Sequence, residues 1–411
     1  MRLKGSTYYD LVIIGGGMVG LSVAKNILDA TSQKEFRIAI VEKEASTGIH
    51  SSGRNSGVLH AGLYYPPDSI KAKICVKGKK RLEKWILDNR LNYNKCGKLI
   101  VAQDSHLDSQ LEVIANRGIR NGANVQILNK QEFKAKLPLA RSASGRAVWT
   151  PDTAVVDPKQ VISTLTKEVV TKGVDLYTGA NNWNIDIEKK RINLQKEVSI
   201  KFGYLINCAG IHAKEIAKRY GIGQEFSVMP FKGLYWKIKP NSSTSIGANL
   251  YPVPDLEVPF LGVHFTPNSD NSSISIGPTA TLAAGKESYQ GFECLEPLQL
   301  ANSLTILLKQ YAFNEGNIRK YMHEQAFLWI KEKMMLEAKK LVPSLNIEDV
   351  EISSKVGIRS QLFNHKKNQL ENDFIYRKTD SSLHVMNAIS PAFTASFELA
   401  DLIIAESNLL D

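Results

Sequence analysis

The feature that most constrains this chain is the GxGxxG pattern of Gly15, Gly17 and Gly20. It lies directly between a β-branched run, Tyr8 to Ile14, and a stretch with helical apolar spacing, Met18 to Leu28. A chain that turns from a parallel strand into a helix over so few residues, and then presents bare amides to a pyrophosphate at the helix N-terminus, has no room for side chains in the turn. A second apolar run, Phe36 to Val41, ends in Glu42, about twenty residues past Gly20. A carboxylate there accepts hydrogen bonds from ribose hydroxyls and repels a 2′-phosphate. Strand, turn, helix, strand and acid read together as a βαβ unit that binds a dinucleotide.

At 411 residues the chain is too long for one ordinary core and suits two lobes. Hydrophobic residues at 43% and charged residues at 23% match soluble globular proteins and exclude fibrous or largely disordered classes. The net charge of +11 favours anionic substrates, a cofactor pyrophosphate or contact with an anionic membrane surface. Its basic residues are scattered, with short clusters such as Lys77, Lys79, Lys80 and Arg81, and lack interleaved aromatics, so no nucleic-acid partner is expected. Cys75, Cys96, Cys208 and Cys294 form no CxxC pair, which predicts reduced thiols, no metal site and a cytoplasmic location. No apolar stretch reaches the roughly 20 residues that cross a bilayer, so membrane contact would be peripheral, at the inner membrane.

Past the first unit, glycine and polar residues mark an irregular loop from Ser51 to Gly62, and Ser69 to Asn89 reads as a basic amphipathic helix. Asp157 to Lys172 has helical periodicity, and YLINCAG at Tyr204 to Gly210 is a strand ending in a small-residue turn. From Ser227 to Ile276 apolar and polar residues alternate, which predicts an antiparallel sheet. Helices are expected across Pro297 to Lys340 and Ala392 to Ser407, with a strand at Leu383 to Met386.

The segment SSGRNSGVLHAGLYY, Ser51 to Tyr65, resembles the FAD-dependent L-2-hydroxyglutarate dehydrogenase (oxidase) family within the D-amino-acid oxidase-like superfamily. So do CGKLIVA at Cys96 to Ala102, TAVVD at Thr153 to Asp157, PFKG at Pro230 to Gly233, YPVPD at Tyr251 to Asp255, PFLGVHFT at Pro259 to Thr266, GIRSQ at Gly357 to Gln361 and NAISPAFTAS at Asn387 to Ser396. The likeness covers essentially the whole chain. It implies the α/β class: a Rossmann-type FAD-binding domain, discontinuous over 1–90, 146–226 and 350–411, and a second α+β substrate domain built on an antiparallel sheet, over 91–145 and 227–349.

The resemblance also implies noncovalent FAD and oxidation of a 2-hydroxy acid to its 2-oxo acid, with an amine or amino-acid oxidase as the alternative. Oxygen and a membrane quinone are both open as electron acceptor. Such chemistry needs a base for the hydroxyl proton while hydride leaves for the flavin, and donors that hold the carboxylates. His60 is the leading candidate base and His264 the second; a structural role at the domain interface is the alternative for each. Arg359 offers a planar fork to a carboxylate, and Arg54, Tyr64, Tyr65, Lys232 and Tyr251 are the other candidate substrate contacts. The cofactor is expected to touch Gly15, Gly17, Met18, Val19, Gly20, Glu42, Lys43, Ser52, Asn55, Ser56, Gly57, Ala209, Gly210, Gly357, Arg359, Ser390, Pro391, Ala392, Phe393 and Thr394. The family's histidine in SGHNS is Arg54 here, its PFRG is PFKG at Lys232, and Ile389 and Phe393 add bulk to the C-terminal loop.

Overall fold

In the computed structural model, which describes residues 6–31, 36–194, 198–254, 261–314 and 318–410, the predicted βαβ unit nucleates an eight-stranded sheet. Strand Ser6–Ile14 pairs in parallel with Ile38–Val41 on one side and Ser199–Asn207 on the other. Asp175–Tyr177 extends the first side in parallel, and Ser382–Asn387 extends the second. Antiparallel strands Asn184–Asp186, Arg191–Asn193 and Ile375–Thr379 complete it. Ile38–Val41 is buried throughout, as a parallel strand covered on both faces must be. Helices Met18–Ala30, Pro158–Thr171 and Ser396–Ser407 supply the cover, and their apolar faces share one core with the sheet. Asn26, buried in that core, donates to the Phe397 carbonyl (2.8 Å) and to Asp401 (2.6 Å), so its burial leaves no donor unpaired.

The alternating segment forms a second sheet of ten strands. Phe226–Ile238 is its spine: it pairs antiparallel with Val350–Asn364 along nearly its whole length, and with Ile274–Gly277 and Thr281–Leu282. Onward lie His264–Pro267, Asn249–Pro252, Lys98–Val101, Ala147–Thr150 and Gln126–Leu128, with Gln369–Leu370 at the far edge. The sheet is mixed rather than purely antiparallel, because Asn249–Pro252 runs parallel to Lys98–Val101. Helices Pro297–Phe313, Ile318–Gln325 and Lys331–Leu341 cap it.

Two strands expected in the dinucleotide lobe, Ala147–Thr150 and Val350–Asn364, belong to this second sheet. Composition could not reveal this, since which partner a half-buried strand takes is set by register with distant segments. A three-stranded sheet of Val58–Leu59, Ala154–Val156 and Tyr93–Asn94 lies where the chain passes between the lobes. The predicted segments YPVPD and PFLGVHFT fall partly on 255–260, outside the described residues.

Gly57 holds this crossing. Its φ is +77°, and a Cβ there would lie 2.1 Å from the Val156 carbonyl oxygen, which is backbone and cannot move aside. Gly57→Ala is expected to lose more than about 3 kcal/mol. Gly122→Ala, at φ +81° with open space around it, is expected to lose about 1 kcal/mol, the left-handed backbone cost alone. Urea unfolding of both variants checks this, and equal losses would mean that the contact with Val156 is not the constraint.

Candidate active site

The turn after Ile14 carries a dinucleotide site. Gly15 (φ +106°) donates its N–H to the Val41 carbonyl at 2.8 Å, and a Cβ on Gly20 would meet the Gly15 oxygen at 2.1 Å, so the helix packs directly against the turn. Buried Glu42 accepts the Gly16 N–H through Oε2 (2.8 Å) and the Glu44 N–H through Oε1 (2.9 Å), which fixes the carboxylate at the end of its strand. Helix Met18–Ala30 starts at Gly17, which has no side chain to cap it; the Met18 N–H donates to Ser52 Oγ at 2.9 Å. Gly17, Met18 and Val19 line a cavity of about 330 Å³ between the lobes. A positive helix terminus opening on a cavity, with no side chain at Gly17 in the way, fits the pyrophosphate of FAD.

Most of the predicted residues meet at this cavity. Ser52, Arg54, Asn55, Ser56 and His60 line it from the irregular loop, and Tyr251, His264, Gly357 and Arg359 from the second sheet. Gly210 and the segment Ser390, Pro391, Ala392, Phe393 and Thr394 close it from the first lobe. Gly15, Gly20, Gly57 and Ala209 are not on its wall but shape the turns behind it, and Glu42 and Lys43 lie at the end of strand Ile38–Val41. Tyr64, Tyr65 and Lys232 are not among the residues that line this cavity, although Tyr65 is hydrogen-bonded to Ser390, which does line it. Lys232 instead sits in mid-sheet, its carbonyl accepting from the hydroxyls of Thr279 and Thr281. Tyr64 and Tyr65 face the lysines described next.

His60 is anchored by its backbone N–H, which donates to Thr394 Oγ1 (3.1 Å), and its Nε2 lies 3.2 Å from Ser390 Oγ. Burial pushes its pKa well below the usual histidine value, and Lys98, His264, Lys71 and Arg359 push it further. The ring therefore rests as neutral imidazole. His264 is neutral too: burial drives it down to about 3, and its Nδ1–H donates to the Gly262 carbonyl (2.8 Å), which leaves Nε2 as a bare lone pair.

Sequence reasoning missed two lysines. Lys71, in the first turn of helix Ile70–Asp88, is 5% exposed and lies against the rings of Tyr65 and Phe374. Lys98, on strand Lys98–Val101, is 1% exposed and lies against Tyr251 and Tyr64. Burial lowers each to about 7, with Arg359 adding to the effect at Lys71 and Asp373 opposing it. Burial likewise brings Arg359 down to about 10. Lys71 was hidden among the many lysines of a basic helix, whereas Lys98 carried a usable signal, a lone charge inside an apolar run. Near neutral pH Arg359 is charged and the two lysines divide between ammonium and amine, so an anion that binds beside the neutral base draws them toward the ammonium form.

A second missed group straps the lobes together. Glu287 Oε1 lies 2.6 Å from Lys43 Nζ and 2.8 Å from His212 Nε2, and Lys43 also meets Glu44 (2.5 Å). His50 bridges Glu44 (2.9 Å) and the Tyr289 hydroxyl (2.8 Å), and Arg54 lies 4.1 Å from the Tyr289 ring centre. Arg54 also donates from Nε to the Ile49 carbonyl (2.8 Å), so this departure from the family loop serves the strap as well as the cavity wall. Glu44, His50 and Glu287 have metal-like spacing, but the Lys43 ammonium already sits on both carboxylates.

Burial opposes charge on both partners, yet Glu215 and Glu287 raise His212 to about 9, while His212 and Lys43 lower Glu287 to about 2. A raised histidine pKa stabilises fully below about pH 6.5, the unfolded value, and the gain is lost as pH climbs through about 9. Lys71 and Lys98, with lowered values, change stability in the opposite direction over the same window. The diagnostic quantity is thus the difference between wild type and Glu287→Gln. Melting followed by flavin fluorescence is expected to show that difference largest near pH 6 and shrinking by pH 9.5; a constant difference would mean that His212 is not charged by Glu287.

A family model described as FAD dependent oxidoreductase matches residues 10–406. The chain is 32% identical to human mitochondrial L-2-hydroxyglutarate dehydrogenase, over 98% of this chain and 90% of that protein. It is 29% identical to an Escherichia coli L-2-hydroxyglutarate dehydrogenase, over 98% and 94%. Among solved structures it is similar to FAD-bound L-alpha-glycerophosphate oxidase from Mycoplasma pneumoniae (TM-score 0.74, 22% identity, 98% and 95% covered). It is also similar to glycine oxidase from Geobacillus kaustophilus (TM-score 0.71, 18% identity, 98% and 94% covered). With its glycine turn and its inter-lobe cavity, this chain belongs to the FAD-dependent oxidoreductases and, within them, to the L-2-hydroxyglutarate dehydrogenase family.

Proposed function

We propose that this enzyme oxidises the secondary alcohol of L-2-hydroxyglutarate to the 2-oxo acid. The observation that carries this reading is a neutral imidazole, His60, ringed by Lys71, Lys98 and Arg359 in the cavity region next to the FAD turn. The chemistry supplied by bound FAD is acceptance of the two electrons that leave the alcohol carbon. Arg359 offers its fork to a carboxylate, and the ion pair so formed offsets the guanidinium's charge. His60 accepts the hydroxyl proton at Nε2 when the substrate hydroxyl takes the place of Ser390 Oγ, which lies 3.2 Å from that atom. The imidazolium so formed is unstable among cations, so it readily yields its proton once the product leaves. His264 is the second candidate base through its bare Nε2. An amine substrate is less well served, since a protonated amine would meet the Arg359 guanidinium and two lysines that take up protons near pH 7.

Anaerobic mixing of the yellow enzyme with L- and D-2-hydroxyglutarate is expected to bleach the flavin with the L form alone. His60→Ala is expected to slow bleaching by about 10²- to 10⁴-fold with FAD retained. Equal bleaching by both forms, or ammonia release from amino acids at a higher rate, would overturn the substrate assignment. Undiminished bleaching in the variant would move the base to His264.

No helix among the described residues is long and apolar enough to cross a membrane. Helix Pro297–Phe313 nevertheless turns apolar side chains outward. Ser303, Ile306 and Gln310 are buried, while Leu298 (89%), Leu308 (67%) and Phe313 (73%) are exposed, and Lys309 is the one charge in the helix. Phe327, Trp329 and Leu336 are also exposed, and residues 297–340 hold seven Lys and Arg against four Glu. We assign this face to an anionic bilayer, since apolar side chains fringed by basic ones suit lipid tails and headgroups. A membrane quinone then becomes the electron acceptor, with oxygen as the second reading. Sedimentation with phosphatidylglycerol-containing vesicles is expected to capture the FAD-loaded protein, and Leu298→Glu with Leu308→Glu to release it. Absence of capture, or a dimer that these changes dissociate, would refute the membrane assignment.

A further inference from the structure

Lys98 has no carboxylate partner among the described residues although it is 1% exposed. What it has is a ring: its Nζ lies 4.1 Å from the centre of Tyr251, and Tyr251 stacks on His264 at 3.8 Å with an 18° tilt. The column follows from strand pairing. Lys98 stands opposite Asn249, and Ile100 opposite Tyr251, in the parallel pair, which sets Tyr251 near the lysine, and the next strand begins at His264. Tyr251 and His264 line the cavity while Lys98 lies behind them, so its charge reaches the cavity through a ring instead of touching what binds there.

A lone ammonium in an apolar wall is costly, and methionine or leucine would fill the space without that cost. What only the charge supplies is a field. Burial leaves Lys98 divided between ammonium and amine near neutral pH; the interaction between charges a few ångströms apart inside a protein is only weakly screened, so a negative charge in the cavity favours the ammonium form and is held by it. Arg359 can bind one carboxylate; Lys98 lies on a different strand, against the ring of Tyr251, which lines the cavity with His264.

We propose that Lys98 is a specificity-determining positioning residue, which acts across Tyr251 and His264 to favour substrates with a second carboxylate over those with one. The inference rests on the hydroxy-acid reading above. Groups that face Lys98 are Tyr64, Tyr251, His60, His264, Cys75 and Cys96, and none of them is a carboxylate.

The test compares kcat/KM for L-2-hydroxyglutarate with that for L-2-hydroxybutyrate, which lacks the distal carboxylate, in the FAD-loaded full chain. Lys98→Met and Lys98→Gln are expected to lower the ratio of the two values by about tenfold or more, mainly through KM for the dianion. Lys98→Arg is expected to keep most of the ratio. A purely structural role would lower both substrates by one factor and leave the ratio unchanged, and that result in both neutral variants overturns the inference. Should one neutral variant fail to retain FAD, the other decides. A wild-type enzyme that shows no preference for the dianion would instead contradict the substrate reading, so the two failures are distinct.

Discussion

The site depends on one crowded piece of backbone, the loop from Ser51 to His60, which both lobes hold at once. Ser52 takes the first N–H of the helix that starts at Gly17, and Ser51 Oγ donates to the Ile358 carbonyl of the second sheet at 2.9 Å. Gly57 accepts the Val156 N–H through its carbonyl, and the His60 N–H finds Thr394 in the C-terminal loop. Such closeness is possible because glycines stand where backbones meet. A Cβ on Gly57 would meet Val156, and one on Gly357 would lie 2.8 Å from the Arg54 oxygen. Here glycine serves approach as much as conformational freedom. Since the loop positions the imidazole, any slip between the lobes would move His60 relative to the cavity.

Charge is the second theme, and it is divided unevenly. At the strap, Lys43, His212, Glu44 and Glu287 compensate one another, so burial of the partners is met by hydrogen bonds. At the cavity burial holds His60 and His264 neutral, and the nearby Lys98 adds to the effect at both. An unbalanced site is costly for the free protein and becomes favourable when an anion arrives, which is how binding and proton affinity become coupled. The outer side of helix Pro297–Phe313 is a comparable imbalance at the surface: Leu298, Leu308 and Phe313 meet solvent while Ser303, Ile306 and Gln310 occupy the inner side.

Much of this was legible from residues alone, for local reasons. The glycine turn, the acid after the second strand and the helices at 70–88 and 158–171 follow from spacing and turn chemistry, and the structure reproduces them within a residue or two. Segments that carry the family resemblance, from Ser51 to Tyr65 and from Asn387 to Ser396, do meet at one cavity. Strand membership was less legible: Ala147–Thr150 and Val350–Asn364 carry the same alternation wherever they pair. Lys71 and Glu287 were unreadable as site residues, because nothing in their neighbours along the chain tells what they will meet, whereas Lys98 stood out as a lone charge in the apolar run Cys96 to Ala102.

The sequence by itself determined the dinucleotide unit, the reduced thiols and the class of chemistry, because these depend on contacts within a few residues or on whole-chain composition. Only the tertiary structure decided that Tyr251 stacks on His264, that Lys98 stands behind them, and that Tyr64, Tyr65 and Lys232 stay off the cavity wall. The physical reason is range. Turn geometry and helix periodicity are set by neighbours, whereas burial, and with it the charge state of every group in the site, is set by segments as far apart in the chain as residues 60, 264 and 359.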